Sequence, residues 1–96
     1  MKALPTNAIP YRRTPEFNEG SVPKGLLRSH RTNPGVWGKI VVLEGNLSYR
    51  VLEPEFAEHR LDPEHHGIVE PTVRHEVRPQ GSVRFYVQFY RINEWT

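Results

Sequence analysis

A chain of 96 residues has room for one domain and none for a catalytic module plus a separate binding module. It has no cysteine and no apolar run near the roughly 18–20 residues of a membrane span, which excludes a disulfide framework, thiolate metal sites, a cysteine nucleophile and a transmembrane helix. The formal net charge is +2, and only Arg12 and Arg13 adjoin among thirteen cations, so the contiguous positive stripe that nucleic acid requires is not expected.

Residues 1–10 carry two prolines and little periodicity, and read as an arm ahead of a domain over 11–96. The arm lacks the apolar stretch of a signal peptide, so a cytoplasmic location is expected. Pro23-Lys24-Gly25 marks a turn before the apolar pair Leu26-Leu27, and Asn33-Pro34-Gly35 combines three turn formers. Residues 36–43, VWGKIVVL, predict a strand. Residues 47–52, LSYRVL, predict another, with Leu47, Tyr49 and Val51 on one face and Ser48 and Arg50 on the other. Between them, Glu44-Gly45-Asn46 reads as the connection of a β-hairpin.

Residues 53–67 are polar, hold two prolines and three of the five histidines, and read mainly as a loop with a marginal helix over 54–60. Residues 68–71 predict a short strand stopped by Pro71, residues 75–77 another, and Pro79-Gln80-Gly81-Ser82 a turn. The run VRFYVQFY over 83–90 alternates, with Val83, Phe85, Val87 and Phe89 opposite Arg84, Tyr86, Gln88 and Tyr90. Nine prolines and seven glycines exceed the roughly 12% these two residues contribute on average. Short strands between turns, and no helix of ten residues, predict an all-β antiparallel sandwich or barrel.

Two strings carry a family resemblance. VVLEGNLSYRV looks like the first half of a cupin core, and GIVEPTVRHEV resembles the second cupin motif. More narrowly, VPKGLLRSHRTNPGVWGKIVVLEGNLSYRVLE with VEPTVRHEV and RFYVQFY is similar to a small cupin-like family of unknown function. Its members occur alone or fused ahead of the methyltransferase domain of tellurite-resistance proteins. The resemblance covers about residues 11–91 and implies a small single-domain jelly-roll barrel.

The resemblance also implies a site. Cupins hold a divalent metal inside the barrel with histidines from both motifs. Carried over, His75 matches the second-motif histidine and His30 lies where the first-motif pair starts. Thr32 stands two residues on from His30, and Gly38 falls where the first motif usually has glutamate. Zinc, nickel or iron anchored by His30 and His75 then needs a carboxylate, amide or water to complete its shell. Gln88 is the candidate third contact, Glu70 the charged alternative, and Tyr86 and Tyr90 the phenols that would meet a bound oxyanion. His59, His65 and His66 read as solvated loop residues, and Trp37, Tyr49, Phe85 and Phe89 as core filling.

Three functional readings stay open. The chain has no Gly-rich phosphate loop, nucleophile elbow or His-Glu-x-x-His string, so an enzyme would be metal-dependent, of dioxygenase or isomerase type. A binding domain would use the same pocket for a small molecule or oxyanion, tied to tellurite stress through the resembled family. A metal-free module would dimerise or dock a partner; cupins commonly pair through strand edges, so a homodimer is expected on the same ground.

Overall fold

The computed structural model describes residues 1–28 and 30–93. Among the described residues six strands run in chain order: β1 (Ala8–Arg13), β2 (Phe17–Asn18), β3 (Val36–Glu53), β4 (Ala57–Leu61), β5 (Gly67–Val69) and β6 (Arg74–Ile92). A single 3-10 turn at Lys24–Leu27 is the only helical element among the described residues. None of these is a helix long and apolar enough to cross a membrane. All pairings are antiparallel, in the order β1-β6-β3-β4, with β2 also on β6 and β5 also on β3. Nothing joins β1 to β4 among the described residues, so the sheet is open.

Two long strands organise everything else. β3 and β6 pair from Val36 opposite Arg91 to Glu53 opposite Arg74. Run straight, 18 residues at ~3.3 Å each would span about 60 Å, whereas the longest dimension of the domain is 42 Å. Both strands therefore bend. The bend falls where the register slips, at Val42/Glu44 and Gly45/Leu47. Leu43 is the extra residue of the first slip and is left exposed, as a bulged position often is.

That bulge preserves the core. Before it the buried positions of β3 are even-numbered (Gly38, Ile40, Val42), and after it they are odd-numbered (Leu47, Tyr49). A strand without the extra residue would turn Leu47 and Tyr49 to solvent. With it, both halves of the bent sheet present apolar side chains to a shared interior. Ile40, Val42, Val69, Phe85 and Val87 from one half meet Leu47, Tyr49, Leu61 and Val77 from the other. Tyr49 links the halves directly, its hydroxyl donating to the Ile68 carbonyl at 3.1 Å.

Several sequence expectations change here. Glu44-Gly45-Asn46 does not reverse the chain, and the strands flanking it pair with β6 rather than with each other. Gly45 instead adopts φ +81° beside Ser82, whose carbonyl oxygen would lie 2.0 Å from any Cβ at position 45. Residues 79–82 likewise continue a strand instead of turning back. The marginal helix over 54–60 is absent; β4 pairs with β3 there, a competition a seven-residue helix loses. Residues 1–10, read as an arm, lie along the sheet from Ala8 onward, where β1 pairs with the end of β6 and Asn93 donates its backbone N–H to the Asn7 carbonyl.

Candidate functional site

The segment after the 3-10 turn returns to β6 at one residue. His30 and His75 form an antiparallel bridge in which each backbone N–H donates to the other's carbonyl at 2.8 Å. Because His75 also pairs with Val51 on its other side, it sits in the middle of a locally three-stranded arrangement. Side chains directly opposite one another in such a pair share a face, and the two imidazoles meet with ring centroids 5.4 Å apart at 82°. The Tyr49 ring packs edge-on against His75 at 5.8 Å.

His75 is 3% exposed. Its Nδ1 lies 3.1 Å from the Val73 carbonyl oxygen. A carbonyl can only accept, so Nδ1 carries the proton and Nε2 keeps its lone pair. Burial depresses the His75 pKa; the His30 charge adds to this and the Val73 hydrogen bond opposes it. The buried ring is therefore neutral at physiological pH, a hydrogen-bond acceptor and a competent metal ligand.

Both histidines line a chamber of about 120 Å³ between the halves of the sheet. Its remaining walls are mostly apolar, including Phe17, Leu26, Ile40, Val77, Phe85 and Phe89. Two threonines also line it, but their hydroxyls are already engaged. Thr14 Oγ1 donates to the Pro15 carbonyl and accepts from Val87 N–H. Thr32 Oγ1 donates to the Val36 carbonyl at 2.8 Å and accepts from Thr72 N–H. Among the described residues the imidazoles are left as the remaining polar side chains of the chamber.

A wider cavity of about 260 Å³ adjoins it, sharing His30, Thr32 and Phe89 and adding Tyr11, Arg12, Arg31, Asn33 and Val36. No acidic side chain among the described residues lines it. In the sequence Arg12 is half of the one adjacent pair of cations and Arg31 one of the dispersed ones, and nothing there joins them. β1 brings the first beside Phe89, and the bridge at His30 brings the second.

The other candidate residues lie elsewhere. On β6 the chamber takes Phe85, Val87 and Phe89, so Tyr86, Gln88 and Tyr90 face outward. The Gln88 side-chain amide donates to the Arg12 and Phe89 carbonyls, and the Arg13 guanidinium lies 4.4 Å over the Tyr86 ring. The chamber and the core are the same space, so the apolar face of the strand lines it. Glu70 borders a separate surface cavity with Tyr49, Phe56 and His59, and Lys2 Nζ lies 3.5 Å from its carboxylate. His59 belongs to β4 and stacks on Tyr49 at 5.9 Å, while His65 pairs with Asp62 at the surface. Trp37 is half-buried, on the face opposite the chamber-lining Gly38.

For a metal, the donor set is short. No group of three or more His, Cys, Asp or Glu side chains with ligand spacing occurs among the described residues. Two imidazoles on one tetrahedral ion with bonds of ~2.0–2.1 Å place their ring centroids about 5 Å apart, close to the separation seen. A carbonyl behind the remote ring nitrogen is the usual support of a ligating histidine. An edge-to-face aromatic pair has the same spacing, and two imidazoles supply only two of the donors a metal needs.

Comparison with known proteins gives a consistent picture. The family model described as the TehB-like domain matches residues 12–87. Two curated Haemophilus influenzae proteins, each named a probable S-adenosyl-L-methionine-dependent methyltransferase TehB, are 36% and 34% identical over 73 residues. These alignments span 72% of this chain and 26% of each relative, so the chain covers about a quarter of their length. The crystal structure of TehB from Haemophilus influenzae aligns with a TM-score of 0.83 at 30% identity, over 91% of this chain and 32% of that one. An Escherichia coli (strain K12) protein shares the fold at 22% identity, TM-score 0.87, covering 98% of this chain and 100% of its own.

Proposed function

Because the chain belongs to the TehB-like domain family, we propose that it is a small-molecule-binding domain whose ligand occupies the chamber beside His30 and His75. One observation carries this reading. The Val73 carbonyl fixes the His75 tautomer, leaving an unprotonated nitrogen on a buried ring that lines an apolar cavity. An engineered apolar cavity of about 150 Å³ accepts benzene, so a ligand portion of five or six heavy atoms suits a chamber of about 120 Å³. The chamber is used as cupins use a barrel interior. A link to tellurite or related oxyanion stress belongs to the same proposal, on the strength of the family. This chain spans about a quarter of the Haemophilus influenzae relatives, and the methyltransferase activity in their name is not carried over to it.

A second reading adds a divalent metal. The centroid separation and the carbonyl behind His75 favour zinc, nickel or iron on the two imidazoles, with ligand or water in the remaining positions. Such an ion would supply Lewis acidity to whatever the chamber holds.

Untagged protein, first stripped with chelator, tests both. Ligand-observed NMR with fragments of up to about seven heavy atoms should find binders at millimolar affinity or tighter, as ligand efficiency allows. Those binders should be lost in His75→Ala; a clean screen ends the first reading. Zinc or nickel at 100 times its dissociation constant should stabilise the wild type by about 2.7 kcal/mol. His66→Ala should keep that gain and His75→Ala should lose it. An unchanged melting temperature ends the second reading.

A further inference from the structure

The two adjoining cavities differ in kind, and the difference specifies a ligand. The inner chamber is apolar apart from its imidazoles, and both of its threonine hydroxyls are engaged by the protein itself. The outer cavity shares His30, Thr32 and Phe89 with it and carries Arg12 and Arg31, with no acid on its walls among the described residues. Among the described residues neither guanidinium has an acidic partner, as is also true of Arg13, Arg28, Arg60 and Arg91, whereas Arg50, Arg74, Arg78 and Arg84 are ion-paired. Arg12 and Arg31 differ from the other unpaired arginines in bordering this cavity together. A third cation, Arg91, lies 5.6 Å over the ring of Tyr11, a residue of the same outer wall.

We infer that the site takes an amphiphilic monocarboxylate, its anionic group held by Arg12 and Arg31 and its apolar body of about five carbons inside the chamber. This rests on the small-molecule reading above and deepens it. An inorganic oxyanion would satisfy the guanidiniums but leave the apolar chamber without an occupant. A neutral hydrocarbon would fill the chamber and leave two unpaired cations at its mouth. A short-chain carboxylate meets both demands, because the planar guanidinium fork matches a carboxylate and apolar burial drives the tail. The pairing of Arg12 with Phe89 across β1 and β6 sets a cation on the same face as an aromatic residue shared by both cavities.

Hexanoate, hexan-1-ol and inorganic phosphate are the probes, each titrated by calorimetry into chelator-treated protein at low ionic strength. Hexanoate should bind one to one, at least tenfold more tightly than either hexan-1-ol or phosphate. The double variant Arg12→Gln/Arg31→Gln should weaken hexanoate at least tenfold and leave hexan-1-ol within twofold, which also reports that the chamber is intact. Equal binding of hexan-1-ol and hexanoate overturns the carboxylate assignment while leaving the chamber reading standing. Phosphate binding as tightly as hexanoate overturns the role given to the apolar tail. Hexanoate binding that appears only after zinc is added overturns the arginine assignment in favour of the metal. No binding by either six-carbon probe overturns this inference and counts against the chamber reading too.

Discussion

His30 and His75 are joined twice, by reciprocal backbone hydrogen bonds of 2.8 Å and by rings 5.4 Å apart, although 45 positions separate them in the chain. The backbone bridge fixes the ring geometry, since residues opposite one another in an antiparallel pair cannot choose different faces. Both rings are thereby held against the chamber they line.

The neutral state of His75 predicts a pH dependence. Its folded pKa lies below the ordinary 6.5, so below about pH 6.5 the unfolded chain binds a proton that the folded chain refuses. Stability should therefore fall as pH drops through this range, by at most about 1.4 kcal/mol per pH unit from this one group. Above it the contribution is complete. Glu19 and Asp62, whose carboxyls are held below their ordinary values by hydrogen bonds from Val83 N–H and from the His65 ring, act in a lower window. Urea midpoints at pH 7.5 and 5.5 should differ for the wild type and draw together in His75→Gln; equal midpoints in the wild type would refute the assignment.

Gly45 and Gly81 both have φ near +80°, but only Gly45 is crowded. Gly81→Ala meets open space and should cost about 1–2 kcal/mol for the left-handed backbone alone. At Gly45 an added Cβ runs into the Ser82 carbonyl in the middle of the β3–β6 ladder. Gly45→Ala should cost about 3–5 kcal/mol, or prevent folding. Chemical denaturation of the pair reads the difference, and similar costs would mean the bend does not depend on this close approach.

Thr72 is a β-branched residue at φ +63° in the turn that leads into β6. Asparagine tolerates the left-handed region better. Thr72→Asn should gain about 0.5–1 kcal/mol in thermal or urea unfolding, with the chamber unaltered. A loss of stability would show that the Thr72 hydroxyl, which donates to the Pro71 carbonyl, outweighs the strain.

Tyr49 is buried, and burial pushes its phenol well above the usual range, with Glu70 adding to the shift. Tyr49→Phe keeps the packing against His75 and removes the bond to Ile68. It should cost about 0.5–1.5 kcal/mol, the net worth of one hydrogen bond. In alkaline titration the phenolate absorbance of Tyr49 should appear only on unfolding. Its appearance while the far-ultraviolet spectrum is still native would contradict the burial.

Local alternation made much of this domain legible. The faces assigned to Leu47 and Tyr49, and to Val83, Phe85, Val87 and Phe89, are the faces observed, because a half-buried strand must repeat every two residues. The same reading failed at Gly45. A glycine in a short polar connection signals a reversal, yet the glycine is required by Ser82, 37 positions away, and nothing local announces that contact. Gln88, Tyr86 and Tyr90 were assigned to the interior as polar side chains awaiting a ligand, but the interior here is the core and takes the apolar face of β6. That His30 and His75 would come together was expected from the family pattern, and their rings do meet. That Arg12 and Arg31 border one cavity was not legible, because a bulged β1 and a one-residue bridge bring them there.

The pairing of β1 with the end of β6 governs when structure can arise. Ala8 lies opposite Ile92, and both long strands depend on each other along their whole lengths. Contacts this distant in sequence make for slow folding, since loop closure must precede the contacts that reward it. During synthesis the amino-terminal segments have no partner until β6 clears the ribosome. β1, β2 and the long ladder of β3 all wait for it, and those segments stay open to chaperones almost to the last residue of the sheet.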